Sequence, residues 1–146
     1  MVMSTVPTEH IWLIDHNPSK QAVEALRSQL VAHNVVQAQI DQGQDLAVFV
    51  RDAQGQLVAG IVGWTWGQCL EIGYLWVDPH LRGLGYGKRL VHTAEREARA
   101  RGCHTAVVDT YSFQAPRFYQ GLGYKVFGSV DGYPDGHQKL FLKKHL

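Results

Sequence analysis

Arg82-Gly83-Leu84-Gly85-Tyr86-Gly87-Lys88 stands between an apolar run, Cys69 to Val77, that stops at Asp78-Pro79, and a stretch in which Leu90, Val91, Ala94 and Ala98 recur at helical spacing. A strand, a glycine-rich loop and a helix are therefore expected in that order. Glycines at alternate positions let backbone N–H groups turn toward a ligand without interference from Cβ atoms. The helix N-terminus adds roughly half a positive charge, and Arg82 and Lys88 add whole ones, so a phosphate or pyrophosphate is the natural occupant. Two well-known phosphate loops do not fit. A nucleoside-triphosphate loop needs glycine at position 82 and Ser or Thr after Lys88, where this chain has Arg82 and Arg89. A dinucleotide fingerprint counted from Gly83 needs glycine at position 88, which is Lys. A turn that merely reverses the chain remains as the plain structural reading.

Working outward, the helix after the loop carries Arg89, Glu95, Arg96 and Arg99 off its apolar face, and Gly102 closes it. Thr105 to Asp109 reads as a buried strand, Ala115 to Leu122 as a short helix, and Tyr124 to Val130 and Leu140 to Leu142 as two last strands around a turn-rich segment, Asp131 to Gly136. Upstream, Leu46 to Val50 and Leu57 to Trp66 form a hairpin, and Cys69 to Val77 completes an antiparallel meander. The apolar run Ile11-Trp12-Leu13-Ile14, within Val6 to Ile14, reads as a first strand. A helix then runs from an N-cap at Ser19 to about His33, with a shorter helical piece over Val35 to Ile40. The strand, helix, strand unit from Cys69 to Asp109 implies one parallel pair inside an otherwise antiparallel sheet, hence a mixed α+β fold.

The bulk numbers narrow the function. At 146 residues, with 45% apolar and 18% charged side chains, the chain is expected to form a single globular domain over residues 1–146. No apolar stretch has bilayer length, and Met1 to His10 lacks the features of a secretory signal, so a cytoplasmic setting is expected. A net charge of +1 gives no reason to expect nucleic-acid or membrane binding. Cys69 and Cys103 read as buried thiols, and His80, His92 and His104 are scattered, so no metal is expected.

The pattern Arg-x-x-Gly-x-Gly, filled by Arg82, Gly85 and Gly87 and preceded by Val77-Asp78-Pro79, resembles the acyl-CoA-binding motif of the GNAT superfamily. Phe118-Tyr119-Gln120-Gly121-Leu122-Gly123-Tyr124 resembles the second half of that signature. The two motifs and their linking strand cover roughly residues 70 to 125. The resemblance implies a mostly antiparallel sheet of six to seven strands, with about four helices on both faces and one splayed parallel pair. It implies that the amides of Gly83, Leu84, Gly85, Tyr86, Gly87 and Lys88, with Arg82, hold the CoA pyrophosphate, and that the strand end at Trp76 and Val77 meets the pantetheine arm. Tyr119 would then protonate the departing thiolate, although a core tyrosine with a satisfied hydroxyl is the competing reading. Family members often carry Asn seven residues before this tyrosine; here Ser112 stands there, with Gln114 close by as a substitute contact. A homodimer follows from family habit.

An ammonium has no lone pair to offer a thioester, so a base is needed. Glu71 matches a position from which some members of the family supply a catalytic glutamate, and desolvation would suit it to that work. A solvated glutamate on a strand face is the equal alternative, and His137 and Asp109 are weaker candidates. Trp64, Trp66, Tyr74, Trp76, Tyr111 and Tyr133 hint at an aromatic or hydrophobic amine, and the acids of the Asp131 to His137 turn suit a positively charged one. The expected activity is transfer of an acetyl group from acetyl-CoA to a primary amine in a ternary complex. The alternative is an acyl-CoA sensor that keeps the loop without turnover.

Overall fold

The computed structural model describes residues 10–39 and 43–146. Two compact units divide the chain, residues 1–40 and 41–146. In the first, α1 spans Lys20–Ala38, and the Ser19 hydroxyl accepts the Ala22 N–H at 3.1 Å, the cap that the sequence marks. The helix expected to break near His33 is continuous, because no glycine or proline interrupts it, and Gln39 ends it in the left-handed region at φ 54°. Ile11 to Ile14 forms no strand, a correction to the expected first strand; the remainder of Val6 to Ile14 lies outside the described residues. Four apolar residues in a row lack the alternation that specifies a half-buried strand.

In the second unit the elements are β1 (Gln44–Arg51), β2 (Leu57–Trp66), β3 (Cys69–Val77), α2 (Tyr86–Ala100), β4 (Thr105–Tyr111), α3 (Pro116–Gly121), β5 (Lys125–Val130) and β6 (Lys139–His145). Among the described residues there are thus six strands and three α-helices, fewer helices than the expected four. Single 3₁₀ turns stand at Pro79–Leu81 and Pro134–Gly136. The sheet order is β1-β2-β3-β4-β6-β5, antiparallel except where β3 meets β4. Leu90, Val91, Ala94 and Ala98 of α2 bury themselves with Leu46, Ala59, Ile61, Leu70 and Ile72, as the periodicity predicts.

One irregularity shapes the molecule. Val62 pairs with Tyr74 and Gly63 with Ile72, so Gly73 is an extra residue, a β-bulge in β3. The parallel ladder runs from Cys69↔Thr105 to Ile72↔Val108 and ends where the bulge begins. Beyond it β3 stays on β2 and β4 stays on β6, so the two strands part. The bulge also shifts the alternation: Leu70 and Ile72 face the core before it, Leu75 and Val77 after it, while Glu71, Tyr74 and Trp76 stand on the opposite face. A Cβ at Gly63 would collide with the Glu71 carbonyl oxygen.

Glu95 corrects another expectation. Placed by the helical pattern off the apolar face, it is only 2% exposed. Lys144 Nζ lies 2.9 and 3.0 Å from its two oxygens, and the Tyr124 hydroxyl donates to Oε1 at 3.0 Å. These partners come from β6 and from the residue before β5, too far along the chain for helical periodicity to reveal them. Burial, then Glu95, push the Tyr124 phenol well above its ordinary pKa, so it remains the donor in this contact.

Two stability measurements follow from these contacts. Gly63→Ala is expected to cost about 2 kcal/mol, seen as a Tm lower by roughly 4–8 °C in thermal unfolding. Lys144→Met leaves the buried Glu95 with only the more distant Arg99, 3.9 Å away, as an ion-pair partner and is expected to cost about 3 kcal/mol in denaturant unfolding.

Candidate active site

The glycine-rich loop is built from the end of β3. Asp78 Oδ1 accepts the His80 N–H at 2.8 Å, and Pro79 opens the 3₁₀ turn that reverses the chain. Arg82 Nε then donates to the Val77 carbonyl at 3.0 Å, tying the loop back to the strand end. The glycines serve different ends. Gly83 and Gly85 have φ of 75° and 85°, a region that side chains resist, although a Cβ there would meet open space. At Gly87 a Cβ would come within 3.2 Å of the Phe118 ring, so the requirement is packing. Gly85 caps α2 and has no side chain to donate to, so no side-chain acceptor takes the first helical N–H groups. Those amides, the helix dipole, Arg82 and Lys88 give the loop a positive character suited to an anion.

The gap between the parted strands is a groove of about 890 Å³. One wall is β3 from Gly73 to Val77; the other is Val108, Asp109 and Thr110 of β4, followed by Phe113, Gln114 and Ala115. Phe118 and Tyr119 of α3 also line it, and Arg82, Gly83, Gly85, Tyr86, Gly87 and Lys88 form the loop end. The structure thus brings together most of the residues singled out in the sequence: Trp76, Val77, all of the loop except Leu84, Gln114 and Tyr119. Leu84 is exposed and is not part of the walls.

Ser112 is turned elsewhere. Its hydroxyl lies 3.0 Å from His137 Nδ1 and accepts the Gln138 N–H at 3.1 Å, so it ties the loop after β4 to the segment before β6. Gln114 does reach the groove, but its Oε1 is engaged, accepting the Tyr111 N–H at 2.9 Å and the Thr110 hydroxyl at 3.2 Å. Tyr119 is 6% exposed, and its phenol is pushed up to about 12, first by burial and then by the charge of Asp109. Glu71 lies just short of the groove, on the face opposite α2, with Trp64 Nε1 donating to its Oε2 at 2.9 Å. It is exposed, so the burial expected around it is absent.

Residues 11–124 match the family model described as the acetyltransferase (GNAT) family. The chain belongs to that family. A blasticidin-S acetyltransferase of Streptomyces morookaense is 42% identical over 101 residues, which cover 68% of this chain and 74% of that protein. An acetyltransferase of Agrobacterium fabrum is 33% identical over 126 residues, covering 86% of this chain and 92% of its own. Among solved structures, an acetyltransferase from Bacillus cereus has a TM-score of 0.75 at 30% identity, over 94% of this chain and 98% of that one.

This GNAT acetyltransferase draws its acyl group from acetyl-CoA. The residues present fit that donor: uncapped amides and two cations for the diphosphate, then a largely apolar groove leading to a buried phenol. Sequence reasoning did not single out Phe113 and Thr110 as groove residues, since neither belongs to a motif; their positions depend on where β4 leaves the sheet. Among the described residues, no helix is long and apolar enough to cross a membrane.

Gly85→Ala is expected to weaken acetyl-CoA binding by about tenfold in calorimetry, as the left-handed backbone costs roughly 1–2 kcal/mol with a side chain. Gly55→Ala imposes similar strain at φ 80° in the β1–β2 turn, and its effect should fall on stability alone.

Proposed function

We propose that this enzyme acetylates a primary amine of a small molecule or peptide, in the cytoplasm, by direct attack within a ternary complex. The observation that carries this reading is the single groove that joins an uncapped helix N-terminus at one end to Tyr119 at the other, along the parted strands. When bound, acetyl-CoA supplies an acyl carbon activated as a thioester. Arg82, Lys88 and the amides from Gly83 to Lys88 would hold its diphosphate, and the backbone at Trp76 and Val77 its arm.

Backbone N–H near Trp76 or Val77 stabilises the negative charge that grows on the acyl oxygen as the amine attacks. Glu71 takes the amine's surplus proton through a water, since its carboxylate stands just outside the groove, oriented by Trp64. Tyr119 serves the leaving sulfur. At neutral pH a phenol pushed up to about 12 is fully protonated, so it is always ready to donate. Such a weak acid stabilises the thiolate by a hydrogen bond better than by complete proton transfer. Blasticidin S, the acceptor in the name of the Streptomyces morookaense relative, is the first amine to assay, followed by a broad panel.

Tyr119→Phe is expected to lower kcat by on the order of 10²-fold while the acetyl-CoA Kd changes less than about twofold. A comparable loss of binding and rate would make the tyrosine structural. Because Tyr119 stays protonated until its raised pKa is approached, the wild-type rate should show no alkaline decline from this group up to about pH 10.

A further inference from the structure

Asp109 is the first residue of β4 beyond its ladder with β3, and it stands on the same face as Glu71. Its carboxylate is 41% exposed and forms part of the groove wall. Oδ1 lies 3.0 Å from Lys139 Nζ. The same ammonium is 5.8 Å from the centre of the Tyr111 ring and 5.5 Å from that of Phe141. The edge of the groove therefore holds a cation between a carboxylate and two ring faces, the arrangement that suits an ammonium or guanidinium.

The aromatic surface continues from there. Tyr111 stacks on Phe113 at 5.4 Å and meets Tyr133 edge-on at 4.9 Å. Across the opening, Tyr74 and Trp76 line the groove at 77% and 45% exposure. A partly exposed ion pair contributes little to stability, so the fold gives no strong reason for this carboxylate at the groove. The other charges that line the groove, Arg82 and Lys88, lie at its loop end and are positive. Asp109 is thus the one acid among the groove-lining residues, at the end where an acceptor would arrive.

We propose that Asp109 selects acceptors carrying a second positive charge besides the amine to be acetylated, and that this cation displaces Lys139 from the carboxylate. The proposal rests on the acetyl-transfer reading above. Lys139 acts as a placeholder: its long, flexible side chain can leave Asp109 at the cost of one partly exposed ion pair and the two ring contacts beside it. The two residues therefore have opposite effects on the same acceptor. Loss of Asp109 removes the anchor, whereas loss of Lys139 removes the competitor. A merely structural ion pair would give effects of the same sign.

The test compares L-argininamide with L-citrullinamide, which share a free α-amine and nearly the same shape and differ in the charge of the side-chain end. With saturating acetyl-CoA, kcat/KM for the arginine compound should exceed that for citrullinamide by about tenfold, mostly through KM. Asp109→Asn should bring the ratio close to one. Lys139→Gln should widen the ratio severalfold. Equal use of the two amides by the wild-type protein overturns the proposal, as does a preference that survives Asp109→Asn or shrinks in Lys139→Gln. An equal fall in kcat for both amides in Asp109→Asn, with the preference kept, also overturns it, because Asp109 then acts on the chemistry, directly or through Tyr119, and not on the acceptor's charge. Where neither amide is turned over, calorimetric titration of both into the CoA-loaded protein reads the same ratio. Failure of acetyl transfer and failure of charge selection are then separate results.

Discussion

The four-residue parallel ladder between β3 and β4 is the constraint on which the site depends. Cys69 to Ile72 pair with Thr105 to Val108, and the bulge at Gly73 then frees β3 from its neighbour. A longer ladder would close the groove, since backbone groups that now border it would be spent on each other. With no ladder at all, Glu71 and Asp109 would not be held on one face at a fixed distance along the sheet. Gly63 makes the bulge possible by leaving room for the Glu71 carbonyl. The β2 and β6 ladders carry the parted strands beyond that point, so the opening costs no orphaned strand.

Helix α2 links the two ends of the site. Its uncapped N-terminus faces the loop, and three turns on Glu95 is bound to Lys144 of β6 and to the Tyr124 hydroxyl. The Tyr124 ring meets Tyr119 edge-on at 5.7 Å, and the Tyr124 N–H donates to the Tyr119 carbonyl. The loop end of the groove and the phenol are thus fixed to one another through a buried ion pair. Low exposure of Glu95 is tolerated because each of its oxygens has a cationic or phenolic donor.

What could be read from the chain alone follows from the range of each physical signal. Glycine spacing, strand alternation and the α2 face are local, and they locate the loop, β1 to β5 and the core side of α2 closely, whereas β6 extends beyond the expected Leu140 to Leu142 to Lys139–His145. Contacts between distant segments were less legible. Glu95 looked like a surface residue because its partners lie 29 and 49 positions away. Ser112 looked like a cofactor contact by position, yet the approach of His137 draws its hydroxyl aside. The bulge at Gly73 was invisible too, since one glycine in an apolar strand does not announce an inserted residue. Ile11 to Ile14 shows the reverse case, an apolar run that pairs with no strand among the described residues.

The alternation that the bulge resets has an evolutionary corollary. One face of β3 and β4 belongs to the core, and the other, which carries Glu71, Tyr74, Trp76, Asp109 and Tyr111, looks away from it. Mutation can therefore revise the outward set without repacking the interior or touching the glycine-rich loop. A lineage built on this scaffold is free to change the molecule it modifies while inheriting the donor unchanged.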